Sequence, residues 1–162
     1  MIARTQMKSG SRDELRAAAA FNARAQGFLW PESGHKARVA RKLAAADWAW
    51  PGRPRCWNAL RRAWRAASDA TLRDEYGRLF SAGGPCSPHE TAYGDARRIA
   101  GRAHELADIG GFYAAFGLTP STANPDLPDH VGAELEFYSL LLVKQAYARS
   151  RRRQGDLRVA RD

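Results

Sequence analysis

The chain has 162 residues, of which 44% are hydrophobic, and this composition suits one globular domain and does not favour a disordered chain. No apolar run approaches the roughly 18–20 residues of a membrane-spanning helix, and charges interrupt the first sixteen positions. Neither a membrane span nor a signal peptide is therefore expected, and a cytoplasmic location is the default.

The formal net charge is +9, and its distribution along the chain indicates which partners it favours. Residues 1–68 hold fourteen Lys and Arg against four Asp and Glu, and residues 149–162 hold six against two. Residues 69–148 hold six against eleven, a net charge of −5. A binding site in this acidic middle segment would favour a basic partner over a phosphate backbone.

Apolar spacing predicts helices along the chain, and no alternating pattern indicates strands. Ser11 and Glu14 have the spacing of a capping box, which would start a first, alanine-rich helix. Three further helices are expected at about residues 35–48, 55–67 and 69–80, the last of them capped by Asp69.

The second half of the chain also contains capping motifs and apolar spacing that predict helices. Ser87 and Glu90 form another S-x-x-E box, with Pro88 at the favoured first helical position. Apolar residues from Leu106 to Phe116 mark the next helix, which Gly117 stops. The last strong helix, at about 129–149, has two apolar stripes and is expected to be the most buried.

These elements predict one all-α bundle over residues 11–149. Residues 1–10 are expected to be a disordered N-terminus, and residues 150–162 an Arg-rich tail.

The densest polar cluster combines Asp129, His130 and Glu134. His130 and Glu134 are four residues apart and share a helix face, where an acid could orient the histidine or raise its pKa. Capping explains the cluster better, with Asp126 as the N-cap and Asp129 in the first turn.

Signals for catalysis or metal binding are lacking in the sequence. The four histidines show no HxxxH spacing, and there is no glycine-rich phosphate loop and no nucleophile paired with a base. Cys56 and Cys86 are thirty residues apart, which predicts two reduced thiols. We therefore expect no enzyme activity, no cofactor and no metal. The residues by themselves indicate a helical bundle with an acidic polar patch.

Four segments in order resemble the TorD/DmsD/NarJ family of molybdoenzyme maturation chaperones, and the last two look closest to the dimethylsulfide and ethylbenzene dehydrogenase type. They resemble the family's EYxRLF, SPYESVY, DxxxFYxxFGL and PDHxxxELxF segments and lie here at residues 75–80, 87–93, 108–118 and 128–137.

The resemblance implies a helical, non-catalytic chaperone. Its client would be the catalytic subunit of a molybdopterin oxidoreductase, bound by its twin-arginine signal or N-terminal segment until the molybdenum cofactor is inserted. Carried over by position, the peptide-binding residues are Asp129, His130, Tyr76, Leu79, Phe80, His89, Glu90, Tyr93 and Glu134. An aromatic groove would take the apolar part of the signal, and carboxylates would take its arginines.

Two features depart from the family. His89 stands where an aromatic residue is usual, and the family adds two or three helices after the stretch around Phe137. The missing C-terminal helices would leave Tyr138, Leu141 and Leu142 bare, so self-association as a homodimer is expected.

Two other functions remain open at this point. A basic helical protein could bind nucleic acid through Arg149 to Arg153, and such binding would weaken steeply with salt. A small enzyme could use His130 with Asp129 or Glu134, but it would need a nucleophile or metal that the sequence does not offer.

Overall fold

The computed structural model describes residues 9–45, 54–81, 84–94, 99–119 and 127–151, and within these ranges the protein is all-helical, as predicted. The helices are α1 (Ser9–Gly27), α2 (His35–Ala45), α3 (Pro54–Ala66), α4 (Asp69–Phe80), α5 (Ile99–Ala115) and α6 (Val131–Ser150). A short 3-10 turn at Glu90–Ala92 lies between α4 and α5. The predicted N-terminal segment up to residue 8 and the tail from residue 152 lie outside the described residues.

Helices α1 and α6 form an antiparallel pair in the centre of the bundle. Arg149, near the end of α6, makes a 2.7 Å ion pair with Glu14, near the start of α1. Farther along α1, the Ser139 hydroxyl donates a 2.8 Å hydrogen bond to the Ala18 carbonyl. The surface between the two helices therefore runs most of their length.

Small residues form the buried faces of this pair. They recur every seven residues, at Ser11, Ala18 and Ala25 in α1 and at Gly132, Ser139 and Ala146 in α6, and all six are buried. Residues seven apart lie two turns along the same side of a helix, so each helix presents a narrow stripe of small side chains. Without bulky groups between them, the two helix axes can approach closely.

The prediction that the two apolar stripes make α6 the most buried helix is wrong. α1 contributes more buried residues than α6, and the large stripe residues of α6 are half-buried or exposed, with Tyr138 47% exposed. The expected self-association stays a prediction.

Helices α2 and α3 cover another side of α1. Ala23 of α1 packs against Val39 and Leu43 of α2, and the half-buried Trp57 and Trp64 of α3 close this cluster. The Trp64 indole donates a 3.2 Å hydrogen bond to the Lys36 carbonyl, which satisfies its polar edge.

Several predicted helix caps are corrected by the structure. Ser11 lies inside α1, which begins at Ser9, and Ser68, not Asp69, caps α4 by accepting from the Thr71 amide. Ser87 starts a turn instead of a helix. The Ser68 and Ser87 hydroxyls each accept a hydrogen bond from a nearby backbone amide, so a capping motif locates such an amide better than it locates a helix start. The buried Ser11 hydroxyl has no hydrogen-bond partner among the described residues.

Candidate functional site

The second predicted cluster, residues 87–93, lies directly against the start of α6. The Glu90 amide donates to the Asp129 carbonyl at 3.0 Å, and the Val131 amide donates to the Pro88 carbonyl at 2.8 Å. These bonds flank an antiparallel bridge that pairs His89 with His130. Two segments that are forty residues apart in sequence thus become one polar centre.

The segment reaches this position through a tight reversal after α4. The Cys86 amide donates to the Leu79 carbonyl at 3.2 Å, which folds the chain back over the helix end. A Cβ on Gly84 would lie 2.6 Å from the same carbonyl oxygen, so this close passage needs glycine. The Tyr93 hydroxyl then clamps the loop by donating to the Ser87 carbonyl and accepting from the Ser87 amide.

Asp129 is fully buried beneath this loop and does not belong to α6. Its carboxylate accepts hydrogen bonds from the amide and hydroxyl of Thr91 and lies 3.0 Å from the His89 Nδ1. Burial opposes ionisation of Asp129, but the bonds from Thr91 and His89 outweigh it and lower the pKa of this carboxyl. The interpretation of Asp129 as a first-turn residue is therefore wrong, since its carboxylate fastens the loop instead. Asp126, the expected cap, lies outside the described residues.

His130 is the actual N-cap of α6. Its Nδ1 accepts a 3.0 Å hydrogen bond from the Gly132 amide, and its ring is 98% buried, edge to face with His89 at 5.2 Å. A Cβ on Gly132 would lie 2.9 Å from that Nδ1 and 3.0 Å from Leu29, so the cap depends on glycine. His89, which departs from the family pattern, keeps a ring contact in this position.

A groove of about 590 Å³ opens above this centre, and we call it the first groove. Its walls are Phe28, Leu79, Phe80, Cys86, Ser87, Pro88, His89, Glu90, Tyr93, Val131 and Glu134. Six of the nine residues predicted for the site line it, namely Leu79, Phe80, His89, Glu90, Tyr93 and Glu134.

The other three predicted residues lie behind the wall. Asp129 and His130 are buried under it, as described above. Tyr76 does not line the groove, but its ring packs on Phe80 at 5.0 Å and on Trp30 at 5.3 Å. These three residues can shape the groove, and the other six form part of its lining.

The acidic end of the first groove consists of Glu90 and Glu134. Burial, followed by the nearby charges of Glu90 and Asp129, raises the pKa of Glu134 to about 6. A hydrogen bond with Glu90 contributes to the same shift. The two carboxyl groups therefore lie close enough to compete for ionisation, and a cation placed between them would relieve that repulsion.

A second groove, of about 520 Å³, lies between α5 and α6 and was not predicted from the sequence. It is lined by Glu90, Asp108, Ile109, Phe112, Tyr113, Glu134, Phe137, Tyr138 and Leu141. Three of its four aromatic residues, Phe112, Tyr113 and Phe137, belong to the third and fourth resemblance segments, and Tyr138 directly follows the fourth. In the sequence they indicated only helix packing.

Comparison with known proteins shows the family of this chain. The sequence matches the nitrate reductase delta subunit family over residues 51–161, which is more than half of the chain. The chain belongs to the nitrate reductase delta subunit family. The dimethylsulfide and ethylbenzene dehydrogenase sub-type is not confirmed, and no curated protein matches the chain.

The fold is also similar to a solved structure. The crystal structure of a proposed redox enzyme maturation protein from Archaeoglobus fulgidus superimposes with a TM-score of 0.60 at 18% identity. The match covers 89% of each chain, so this neighbour does not support the expected loss of two or three helices. At this identity the likeness concerns the fold.

Membership of this family indicates a maturation chaperone, and the neighbour shares its fold. Neither comparison supports the nucleic-acid alternative. Among the helices of the described residues, none is long and apolar enough to cross a membrane.

Proposed function

We propose that this nitrate reductase delta subunit family member is a cytoplasmic, non-catalytic chaperone for the catalytic subunit of a molybdoenzyme. It binds the twin-arginine signal or another N-terminal segment of that subunit. It holds the subunit for insertion of the molybdenum cofactor before export or assembly. The observation that carries the proposal is the first groove, which combines apolar walls with a carboxylate pair.

The walls of the first groove suit an apolar stretch of peptide. Leu79, Phe80 and Val131 are half-buried, so a ligand can cover the surface that they leave in water. Covering such surface is worth about 25 cal/mol for each Å². The apolar part of a signal peptide would supply that contact.

The carboxylates add selectivity for arginine. Glu90 is exposed and Glu134 half-buried, and no Lys or Arg is among the described residues that line this groove. A guanidinium can bridge two carboxylate groups with charge-assisted hydrogen bonds, which a neutral side chain cannot do.

The proposal is tested by fluorescence anisotropy with a labelled synthetic peptide that contains Ser-Arg-Arg followed by an apolar stretch. Glu90→Gln is expected to weaken binding tenfold or more, because a charge-assisted hydrogen bond is worth about 1.5–3 kcal/mol. The same peptide with glutamine in place of both arginines should bind weakly to wild type and variant alike.

Asp74→Asn is the matched control, since Asp74 is an exposed carboxylate on α4 that does not line the first groove. It should leave the affinity unchanged. If Glu90→Gln and Asp74→Asn bind the arginine peptide equally well, the first groove does not bind arginine and the proposed function loses its support.

A further inference from the structure

The two grooves of this protein meet at the same pair of carboxylates. Glu90 and Glu134 line the first groove, which α4, the 87–93 loop and α6 enclose, and they also line the second groove, between α5 and α6. A peptide that passes from one groove to the other must therefore cross these two side chains.

The second groove exposes aromatic side chains that a ligand could cover. Phe112 is 53% exposed and Tyr138 is 47% exposed, although both have large aromatic side chains. Phe137 packs beneath them, with its ring centroid 5.5 Å from that of Phe112 and 5.3 Å from that of Phe116. Aromatic surface of this kind on a well-packed support marks a binding surface more often than chance exposure.

The acidic side chains at the second groove favour a basic ligand. Asp108 is the third carboxylate of its lining, beside Glu90 and Glu134, and no Lys or Arg is among the described residues that line it. The acidic residues therefore lie between the two apolar surfaces and along the rim of the second. This order favours a ligand whose basic residues are flanked by apolar stretches.

We propose that the second groove binds a second apolar stretch of the same client peptide, so that the protein recognises an apolar–arginine–apolar pattern across both grooves. The inference rests on the proposed function and adds to it a specificity determinant, Phe112. A peptide that has only one apolar stretch would use one groove and the carboxylates, and it would leave the other groove empty.

The test uses three labelled synthetic peptides. One carries two adjacent arginines with an apolar stretch on both sides, and each of the two others lacks one of these stretches. Phe112→Ser is expected to weaken the full peptide about tenfold, as the loss of one covered aromatic side chain predicts. It should also weaken one of the shortened peptides and leave the other unchanged.

Phe80→Ser in the first groove should show the reverse selectivity for the two shortened peptides. Tyr147→Ser is the matched control, because Tyr147 is 52% exposed on α6 and lines neither groove. Circular dichroism and light scattering of each variant verify that the fold and the oligomeric state are retained.

The outcomes separate the two proposals. If wild type binds no peptide in an arginine-dependent way, the proposed function fails. If it binds, and Phe80→Ser weakens binding while Phe112→Ser does not, the second groove has no part in peptide binding and this inference is overturned. It is equally overturned if Phe112→Ser changes the molecular mass in solution and not the affinity, because the groove would then be covered by a second copy of the chain.

Discussion

Asp129 and Glu134 are two carboxyl groups on neighbouring stretches of chain with opposite pKa shifts. Burial by itself would raise the pKa of both groups. Asp129 receives compensating hydrogen bonds from Thr91 and His89, so its pKa falls below the ordinary value. Glu134 instead faces the like charges of Glu90 and Asp129, so its pKa rises to about 6. The Asp129 carboxylate is therefore held by hydrogen bonds within the protein. A nearby cation would lower the pKa of Glu134.

Glu134 should make the stability of the free protein depend on pH. Its pKa is about 6 in the fold against 4.5 for the ordinary group, so ionisation opposes folding. The stabilising effect of the neutral form is complete below pH 4.5 and is lost as the pH rises through 6. Glu134→Gln is expected to raise the free energy of unfolding at pH 7 by about 1–2 kcal/mol, the lower figure allowing for solvent screening.

Urea unfolding at pH 4, 5, 6 and 7 measures this effect as the difference between wild type and Glu134→Gln. Glu105→Gln on α5 is the matched control, since it removes a half-buried glutamate that lines neither groove. A difference between Glu134→Gln and wild type that stays constant over this range would contradict the raised pKa.

The α1–α6 pair shows why apolar spacing alone did not locate the core. The large residues of α6, such as Leu141 and Phe137, are half-buried and line the second groove. The α1-facing side of α6 instead carries Ser139, which bonds to the backbone of α1. Close approach of two helices is limited by side-chain size, so the tightest contact selects small residues.

Ala18→Leu should therefore destabilise the protein. Ala18 is 3% exposed, and its carbonyl accepts the Ser139 hydrogen bond, so a larger side chain must push the helices apart. Overpacking of this kind costs about 1–3 kcal/mol, or roughly 2–12 °C in melting temperature for a chain of this size. Ala19→Leu is the control, because Ala19 is the exposed neighbour on the same helix. Equal melting temperatures for the two variants would contradict the close α1–α6 contact.

At the scale of the whole molecule, the first groove exists only in the folded state. Its walls come from the turn after α1, from α4, from the 87–93 loop and from α6, as Phe28, Phe80, His89 and Val131 illustrate. A peptide that binds there binds the native state and not the unfolded chain. Binding is therefore linked to stability.

Saturating peptide should raise the melting temperature. At one hundred times the dissociation constant, the gain in stability is about 2.7 kcal/mol, which corresponds to roughly 5–10 °C. Differential scanning fluorimetry with the Ser-Arg-Arg peptide measures the shift, and the glutamine-substituted peptide serves as the control. An unchanged melting temperature with the arginine peptide, at a concentration that saturates the anisotropy signal, would mean that the peptide does not depend on the folded groove.

Local sequence patterns were enough to predict the helices and the apolar face of α4. Local spacing suffices for such features, because Leu79 and Phe80 lie on the same apolar face of α4 and the glycine at 117, with φ of 76°, ends α5 whatever surrounds it. The family resemblance assigned both these apolar residues and the polar ones, among them His89 and Glu134, to a single peptide-binding site.

The roles of the polar residues depend on contacts that form only in the folded chain. Whether Asp129 caps a helix or fastens a loop depends on Thr91, thirty-eight residues earlier, and no local pattern encodes that distance. The second groove likewise arises because α6 turns its small residues toward α1. This leaves Phe137 against Phe112 of α5, while Tyr138 is 47% exposed and packs edge to face on Phe21 of α1. The fold sets both the burial of a carboxyl group and its hydrogen-bond partners. The two together decide whether its pKa falls, as for Asp129, or rises, as for Glu134.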